Sequence, residues 1–487
     1  MSSAHYPDGP RGDQLGAHVG TGAKEGINKY PTSISLASRG KSKASGPVNK
    51  IGFAQLPAEL QIDIFGYLNR SDLKSVRGVC KVLCNNASPR LFRSVVACAR
   101  YQALSAMQKL SLHHAYKFYV KEIVFDGSVY DQSLAFRAER YAKEAEKFEN
   151  LRHGFSWEIQ QRYRRYKELY EDQENMRQGG VLLHTIARAL EWMPNISSVV
   201  YSPTPRLVPV EANIVRDLLP RGVMGSCYWD RRYEQYIESS QHGIHHLIAA
   251  IYLAQYSGIH EFRAELPNPD QSDAKTDFTI YVFSFPDPQH LDAGKYFFRQ
   301  LRKVELNISL VLPGCMDQPH ADQNGQAQLS NISALLAEAR DLEKLALQIC
   351  DWDAEPRRMY GHILPSNQSM LPHFGLYSTW PKLRSLILGG IYAAEKEVLD
   401  LLTRHKDTLV EAKFSFCSLL DGAWANIIDE VVYGTRLNPF QVISVNETVI
   451  GGVNFCNMSD EMRKKWQYVG HVAIDSDGQR YFVSCSR

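Results

Sequence analysis

The chain has 487 residues, of which 44% are hydrophobic and 22% charged, as in a typical folded globular protein. At roughly 150 residues per domain, this length predicts about three folding units. Lys and Arg total 55 against 53 for Asp and Glu, so the net charge of +2 excludes a bulk electrostatic attraction to nucleic acid or membrane. A partner chosen by charge must therefore bind a local patch.

The beginning of the chain is predicted to be disordered. Residues 1–50 are rich in Gly, Ser, Lys and Pro, so they cannot bury enough apolar surface to offset the entropy of ordering. They lack the apolar stretch of a secretory signal, and no later apolar run approaches the length of a membrane span. The nine scattered cysteines suit reduced thiols. We expect a cytoplasmic or nuclear protein, or one found in both compartments, that binds neither membrane nor nucleic acid.

Short amphipathic helices are predicted over residues 51–98. Pro57 suits the first turn of a helix, whose apolar face then carries Leu60, Ile64 and Leu68. Ser71 or Asp72 could cap a second helix. The apolar stripe of that second helix is Leu73, Val76, Val79, Cys80 and Leu83.

A third short element is predicted to open at Pro89. It carries Leu91, Phe92, Val95 and Val96. Three helices in so few residues have only a small core of their own, so this unit is expected to be more stable when it docks on a partner.

The order of residues in this unit resembles the F-box family over residues 52–98. The family's pattern is met by Leu56-Pro57, Glu59-Leu60, Ile64, Leu68, Asp72-Leu73, Val79-Cys80-Lys81 and Leu91-Phe92-Arg93. One departure is Leu83, where many members of the family carry Trp.

The resemblance implies that the apolar surface docks on a Skp-type adaptor and, through it, on a cullin. Leu56 and Pro57 would anchor the first contact, and Leu60 and Ile64 would be buried at the joint. The alternative is that these side chains only fill an intramolecular core, and amphipathic spacing alone does not separate the two. The adaptor-binding residues implied by the resemblance are Leu56, Pro57, Glu59, Leu60, Ile64, Leu68, Leu73, Val79 and Leu83.

After this unit, one theme repeats: a helix-like stretch leads into a strand with alternating apolar residues. The three clearest copies read L-x-x-[LV]-x-L, and Val304, Leu345 and Leu386 follow one another at intervals of 41 residues. Single units of this kind cannot bury their leucines alone, so they stack into a solenoid. The units resemble irregular leucine-rich repeats with inserted loops. The predicted strands are 119–126, 195–201, 259–264, 301–308, 342–349, 383–388 and 409–416.

The expected fold class is therefore α+β. A disordered tail (1–50) precedes a short helical F-box (51–98), which is followed by an irregular leucine-rich-repeat-like α/β solenoid (99–487). Loops are predicted at 203–237 and 313–328 because of their Pro and Gly content. Residues 467–487 are predicted to form a C-terminal hairpin that caps the solenoid, with its turn at Asp477-Gly478.

A charged helical insertion is predicted at residues 137–178. Between 137 and 177 there are ten basic and nine acidic residues, which predicts a long solvated helix, bent near Gly154. Tyr163, Tyr166 and Tyr170 share one face and should pack on the body of the protein. The RYRRYK stretch (162–167) could alternatively bind RNA, but the acids that follow it oppose this.

The search for catalytic chemistry gives only weak candidates. His242, His245 and His246 could place imidazoles on one helix face, but the glutamate of a zincin motif is missing, so surface histidines are expected. Asp351 and Asp353 follow a strand and are interpreted as an acidic loop.

Other site chemistry is also without support. Cys80 and Cys84 lack further ligands nearby and are interpreted as small core residues. Phosphate-binding, dinucleotide-binding and hydrolase motifs are missing from the sequence. We therefore expect no catalytic residue, metal or cofactor, and no enzymatic activity.

Together these observations predict the substrate-recognition subunit of an SCF-type cullin ubiquitin ligase, with an unknown target protein bound by the repeat domain. Two alternatives stay open. The chain could be an adaptor-bound scaffold or trafficking factor that acts outside ubiquitination, or its C-terminal domain could be an uncharacterised enzyme.

Overall fold

The computed structural model of the chain describes residues 53–149, 157–202, 218–219, 221, 243–264, 280–285, 287–308, 322–349, 368–415, 417–434, 440–443, 470–474 and 480–484. The predicted disordered tail at residues 1–50 lies outside these ranges. So do Gly154, His242, Asp351 and Asp353 and most of the predicted loop at 203–237.

Helices in the described part of the chain fall into an N-terminal group, an insertion and a series that alternates with strands. The first eight are α1 (Ala58–Phe65), α2 (Arg70–Arg77), α3 (Lys81–Leu91), α4 (Tyr101–Leu112), α5 (Gln132–Phe136), α6 (Ala138–Glu149), α7 (Trp157–Gln178) and α8 (Val181–Trp192). The others are α9 (Gly243–Leu253), α10 (Pro288–Arg299), α11 (Asp322–Glu338), α12 (Glu395–Arg404) and α13 (Trp424–Gly434).

The strands begin directly after the N-terminal helices. The first seven are β1 (Ser94–Ala97), β2 (Glu122–Asp126), β3 (Ser198–Ser202), β4 (Glu261–Ala264), β5 (Lys303–Ile308), β6 (Lys344–Ile349) and β7 (Ser385–Gly389). They are followed by β8 (Tyr392–Ala393), β9 (Glu411–Ser415), β10 (Ser418–Leu419), β11 (Phe440–Ile443), β12 (Gly470–Ile474) and β13 (Arg480–Ser484).

Nine strands form one parallel sheet, in the order β1-β2-β3-β4-β5-β6-β7-β9-β11. The order across the sheet is the order along the chain, so each new strand adds to the edge left by the one before it. All seven predicted strands are confirmed. Val304 pairs with Leu345, and Leu345 pairs with Leu386, so the interval of 41 residues is the register of the sheet.

The core lies between one face of the sheet and the helices. Strands β5 and β6 show the alternation clearly: Val304, Leu306 and Ile308 are buried, while Glu305 and Asn307 between them are partly exposed. Because successive side chains of a strand point to opposite faces, the apolar set faces the helices and the polar set faces outward. The mixed helix and parallel sheet confirm the α+β class.

The N-terminal helices differ in two places from those predicted. The expected second helix is interrupted after Arg77, because Cys80 adopts an extended conformation (φ −160°) and becomes the N-cap of α3. Pro89 lies inside α3 and does not open a new element. Val95 and Val96 belong to β1, the first strand of the large sheet.

The charged insertion folds into α6 and α7, joined by residues that lie outside the described ranges. The predicted tyrosine face is confirmed: Tyr166 is completely buried, Tyr170 is nearly so, and Tyr163 packs against the same cluster. The Tyr166 hydroxyl accepts a hydrogen bond from the Asp131 N–H at 2.7 Å. Burial raises the pKa of Tyr166 well above its usual value. These contacts leave few aromatic faces on the RYRRYK stretch for stacking on RNA.

The end of the chain contains the two strands of the predicted hairpin. Strands β12 and β13 pair antiparallel, with Gly470 opposite Ser484. Strand β13 approaches β11, the last strand of the sheet. The predicted loop at 313–328 is wrong from Asp322 onward, because α11 begins there.

Candidate adaptor-docking surface

Helices α1, α2 and α3 enclose a small core of their own. Its buried side chains come from all three helices, and partly buried neighbours complete it. The buried members are Phe65, Leu73, Leu83, Ala87 and Leu91, and the neighbours are Leu68, Val76, Cys80 and Phe92. The module therefore folds around an internal core before any partner is considered.

A buried glutamine fixes the start of α1. The Gln61 side chain is 1% exposed, and its Nε2 donates to the Leu56 carbonyl at 2.9 Å and to the Phe53 carbonyl at 3.3 Å. Its Oε1 accepts from Nδ2 of Asn86 on α3 at 2.9 Å. Because a buried amide is costly unless its hydrogen bonds are made, this network holds the Leu56-Pro57 turn against α3.

The link between α1 and α2 is capped by a side chain. Asn69 is the N-cap of α2, and its Oδ1 accepts from the Asp72 N–H at 2.9 Å. The predicted caps, Ser71 and Asp72, lie inside the first turn instead. The acidic Asp72 in that turn also complements the positive end of the helix dipole.

Large apolar side chains stay exposed on this module. Leu60 is 50% exposed and Ile64 is 40% exposed, one turn apart on α1, while Val79 between α2 and α3 is 70% exposed. They therefore present to solvent, and the internal core lies on the side of α1 that carries Gln61 and Phe65. Further exposed apolar side chains of the module are Phe53, Ile62, Tyr67 and Val82.

The predicted docking residues fall into two groups in the structure. Pro57, Glu59, Leu60, Ile64 and Val79 are exposed, and Leu56 and Leu68 are partly buried. Leu73 (3% exposed) and Leu83 (5% exposed) are buried in the internal core, so their role in this conformation is packing and they are not available to a partner.

Two core residues, Gln61 and Phe65, were missed by sequence reasoning. The apolar stripe of α1 was assigned to Leu60 and Ile64, but the buried face lies next to it and contains a polar residue. The signal that could have found it is Phe65, the largest apolar side chain of α1. Its ring packs against Phe53 with the centroids 5.9 Å apart.

The module is joined to the sheet without a linker. Helix α3 ends at Leu91, and the Arg93 carbonyl already accepts hydrogen bonds from the Lys121 N–H (2.8 Å) and the Glu122 N–H (3.2 Å) at β2. Arg77 of α2 reaches across the same junction, where its Nη2 donates to the Tyr116 hydroxyl at 2.9 Å.

Aromatic stacking reinforces this junction. The rings of Phe92 and Tyr116 stack with centroids 4.3 Å apart, and the guanidinium of Arg77 lies 4.7 Å from the Phe92 centroid. His113 stacks on Tyr116 at 3.8 Å. The stack therefore ties α2 and the end of α3 to the turn that precedes β2.

The weak candidates for catalysis do not assemble into a site within the described residues. His245 is 4% exposed, so the expectation of a surface histidine is wrong there; its Nε2 lies 2.9 Å from the Val282 carbonyl and its ring stacks on Phe285. In the described part of the chain, no group of three His, Cys, Asp or Glu side chains could hold a metal ion. Cys80 and Cys84 are free thiols of intermediate burial.

Residues 53–97 match a family model described as F-box-like. No match to the chain was found among curated proteins. The chain therefore carries an F-box-like domain, and the resemblance to the F-box family is confirmed at these residues. Its likeness to leucine-rich repeats stays a prediction.

An F-box-like domain supports a role in protein interaction, and domains of this family generally bind Skp-type adaptors. Within the described ranges, no helix is long and apolar enough to cross a membrane.

Proposed function

We propose that this chain is the substrate-recognition subunit of an SCF-type cullin ubiquitin ligase. The exposed apolar side chains of the F-box-like domain would bind a Skp-type adaptor, and the adaptor would bind the cullin. The parallel sheet and its loops would bind the target protein. The chain would contribute positioning and no covalent chemistry, because tethering raises the effective concentration of the target's lysines near the ubiquitin-charged enzyme.

The observation that supports this proposal most strongly is the division of labour within the F-box-like domain. Its core is complete without Leu60, Ile64 and Val79, yet these large apolar side chains are placed in solvent. Burial of each large aliphatic chain in an interface is worth about 1.5–3 kcal/mol. Docking driven by apolar burial also fits a chain with a net charge of only +2.

The proposal is tested by Leu60→Asp in the full-length chain, with co-purification of the Skp-type adaptor and the cullin as the readout. A carboxylate buried in an apolar joint costs several kcal/mol, so recovery of both partners should fall at least tenfold. Because Leu60 is half exposed, the substitution should leave the chain folded, which circular dichroism checks.

Val181→Asp is the matched control. Val181 is 47% exposed, similar to Leu60, and lies in the first turn of α8, where a carboxylate is tolerated. This variant should bind the adaptor like the unmodified chain. Unchanged adaptor recovery with Leu60→Asp would refute the docking surface. Adaptor without cullin in the unmodified complex would instead favour a scaffold or trafficking factor that acts outside ubiquitination.

A further inference from the structure

Arginines flank a glutamate where β5, β6 and β7 begin. Backbone hydrogen bonds align the residue before each strand: the Glu343 N–H donates to the Arg302 carbonyl at 2.7 Å, and the Arg384 N–H donates to the Glu343 carbonyl at 2.8 Å. Neighbouring strands lie about 4.8 Å apart. The Cα atoms of Arg302 and Arg384 are therefore about 10 Å apart, two strand spacings, with Glu343 between them.

Lysines add to this positive charge. Lys303, the exposed first residue of β5, is the register partner of Lys344 on β6. Like charges directly opposite one another lower the stability of a sheet, so this pair is not explained by folding. Lys344 has a counterion, since its Nζ lies 2.5 Å from Oε1 of Glu305.

We call five cations at the beginning of these strands the basic rim. Two acids, Asp341 and Glu343, lie among them, so the local charge is 5 − 2 = +3, more than the +2 of the whole chain. The members of the basic rim are Arg302, Lys303, Arg340, Lys382 and Arg384.

Most of the charge on the basic rim is not neutralised within the chain. Lys382 Nζ pairs with Oδ1 of Asp341 at 2.6 Å. The hydrogen bond and charge of Lys382, together with the charge of Arg302, lower the pKa of Asp341. Among the described residues, no acid forms an ion pair with the other four members of the rim.

We propose that the basic rim binds an acidic segment of the target protein; this inference rests on the proposed function. The planar guanidinium fork matches a carboxylate through two parallel hydrogen bonds. An extended chain rises about 3.3 Å per residue, so acids three positions apart place carboxylates about 10 Å from each other. That separation matches Arg302 and Arg384, so the segment would carry acids at i and i+3 and cross the strands.

The same features disfavour an anionic membrane as the occupant. Asp341 and Glu343 lie within the basic rim, where they would face the phosphates of a bilayer at every orientation of the rim. A peptide can instead place its acids beside the arginines and leave uncharged residues beside Glu343. Discrete, fixed arginines therefore fit a spaced series of carboxylates better than a continuous anionic surface.

The test uses the full-length chain bound to its adaptor and two fluorescent peptides of equal composition and charge. One has four Glu-Gly-Ser repeats, which place an acid at every third residue; the other has the same four Glu residues in succession, followed by the Gly and Ser residues. The spaced peptide should bind more tightly than the clustered one. Its affinity should fall at least tenfold in the double variant Arg302→Gln/Arg384→Gln, and should also fall as salt rises.

Lys406→Gln, which removes an exposed cation from the turn before β9, is the matched control and should bind the spaced peptide like the unmodified chain. Equal affinity of the double variant and the unmodified chain for the spaced peptide would overturn the proposal. So would binding of phosphatidylserine vesicles that depends on both arginines while the peptide does not bind, since this would identify a membrane site. Adaptor recovery is measured in every variant, and its persistence separates failure of the basic rim from failure of the proposed function.

Discussion

His405 shows how one buried side chain makes the stability of the sheet depend on pH. It is 2% exposed, its Nε2 accepts the Trp380 N–H at 3.0 Å, and its Nδ1 lies 2.9 Å from the Leu401 carbonyl. Because Nε2 accepts, the proton must be on Nδ1, which donates to Leu401. The neutral ring is therefore fully satisfied, and a second proton on Nε2 would face the Trp380 N–H.

The pKa of His405 is lowered from its usual value of 6.5, because burial disfavours the charged ring and the nearby Arg404 repels it. The unfolded chain therefore binds a proton more readily than the folded one. The stability contributed by the neutral ring is complete above about pH 6.5 and is lost as the pH falls through the lower folded-state pKa.

We predict that His405→Gln changes this dependence. Urea unfolding should show a lower free energy of unfolding at pH 7.5, by about 1–3 kcal/mol, because buried partners lose their hydrogen bonds. Between pH 7.5 and 5.5, however, the variant should lose less stability than the unmodified chain. His184→Gln, at an exposed position of α8, is the control and should keep the full loss. An equal loss in His405→Gln and the unmodified chain would contradict the assignment.

At the scale of elements, α1 has two neighbouring faces with different tasks. Phe65 is completely buried in the internal core, whereas Leu60 is half exposed. Truncation of a buried Phe typically costs about 3–5 kcal/mol, and truncation at an exposed position changes stability by less than about 0.5 kcal/mol. The two faces can therefore be separated by measuring stability and binding in the same variants.

We predict that Phe65→Ala increases amide hydrogen exchange throughout α1, α2 and α3 and abolishes adaptor binding through local unfolding. Leu60→Ala should leave exchange in the same helices unchanged and still weaken adaptor binding. If Leu60→Ala increased exchange as much as Phe65→Ala, Leu60 would belong to the core and the exposed face would not be the docking surface.

The same helix shows what periodicity can and cannot predict. The spacing of Leu60, Ile64 and Leu68 correctly predicted a helix, because apolar periodicity is a local signal. It did not identify the buried face, which is decided by what α3 offers: Asn86 provides a hydrogen-bond donor for Gln61. Long-range contacts of this kind are invisible to periodicity.

In the sheet, by contrast, sequence predicted both the elements and the register. Val304, Leu345 and Leu386 fill one continuous row of the core because each unit packs only on its neighbours. Strand β1 was missed because its four residues are short and follow directly from α3, so Val95 and Val96 were assigned to a helix. The basic rim was also missed, because its members are dispersed along the chain and meet only through the register.

At the scale of the whole molecule, the F-box-like domain and the sheet meet through a continuous backbone and one stacked cluster. Helix α3 leads directly into β1, so no segment between them can act as a hinge. Arg77 adds a hydrogen bond to Tyr116 and stacks over Phe92. A rigid junction would hold a bound target at a fixed distance from the adaptor, which is what positioning requires.

We predict that Tyr116→Ala loosens this junction, and Tyr116→Phe does so only in part. Loss of the ring removes a stacking contact and the hydrogen bond from Arg77, together worth about 2 kcal/mol, whereas Tyr116→Phe removes only the hydrogen bond, about 1 kcal/mol. Since 1.4 kcal/mol is a tenfold change in an equilibrium constant, exchange in α2 and α3 should rise about thirtyfold and fivefold, respectively. Exchange in β5 and β6 should not change, because those strands pack only on their own neighbours. A uniform rise across α2, α3, β5 and β6 would show that the whole unit opens at once, and unchanged exchange in α2 and α3 would show that the stack does not couple the domain to the sheet.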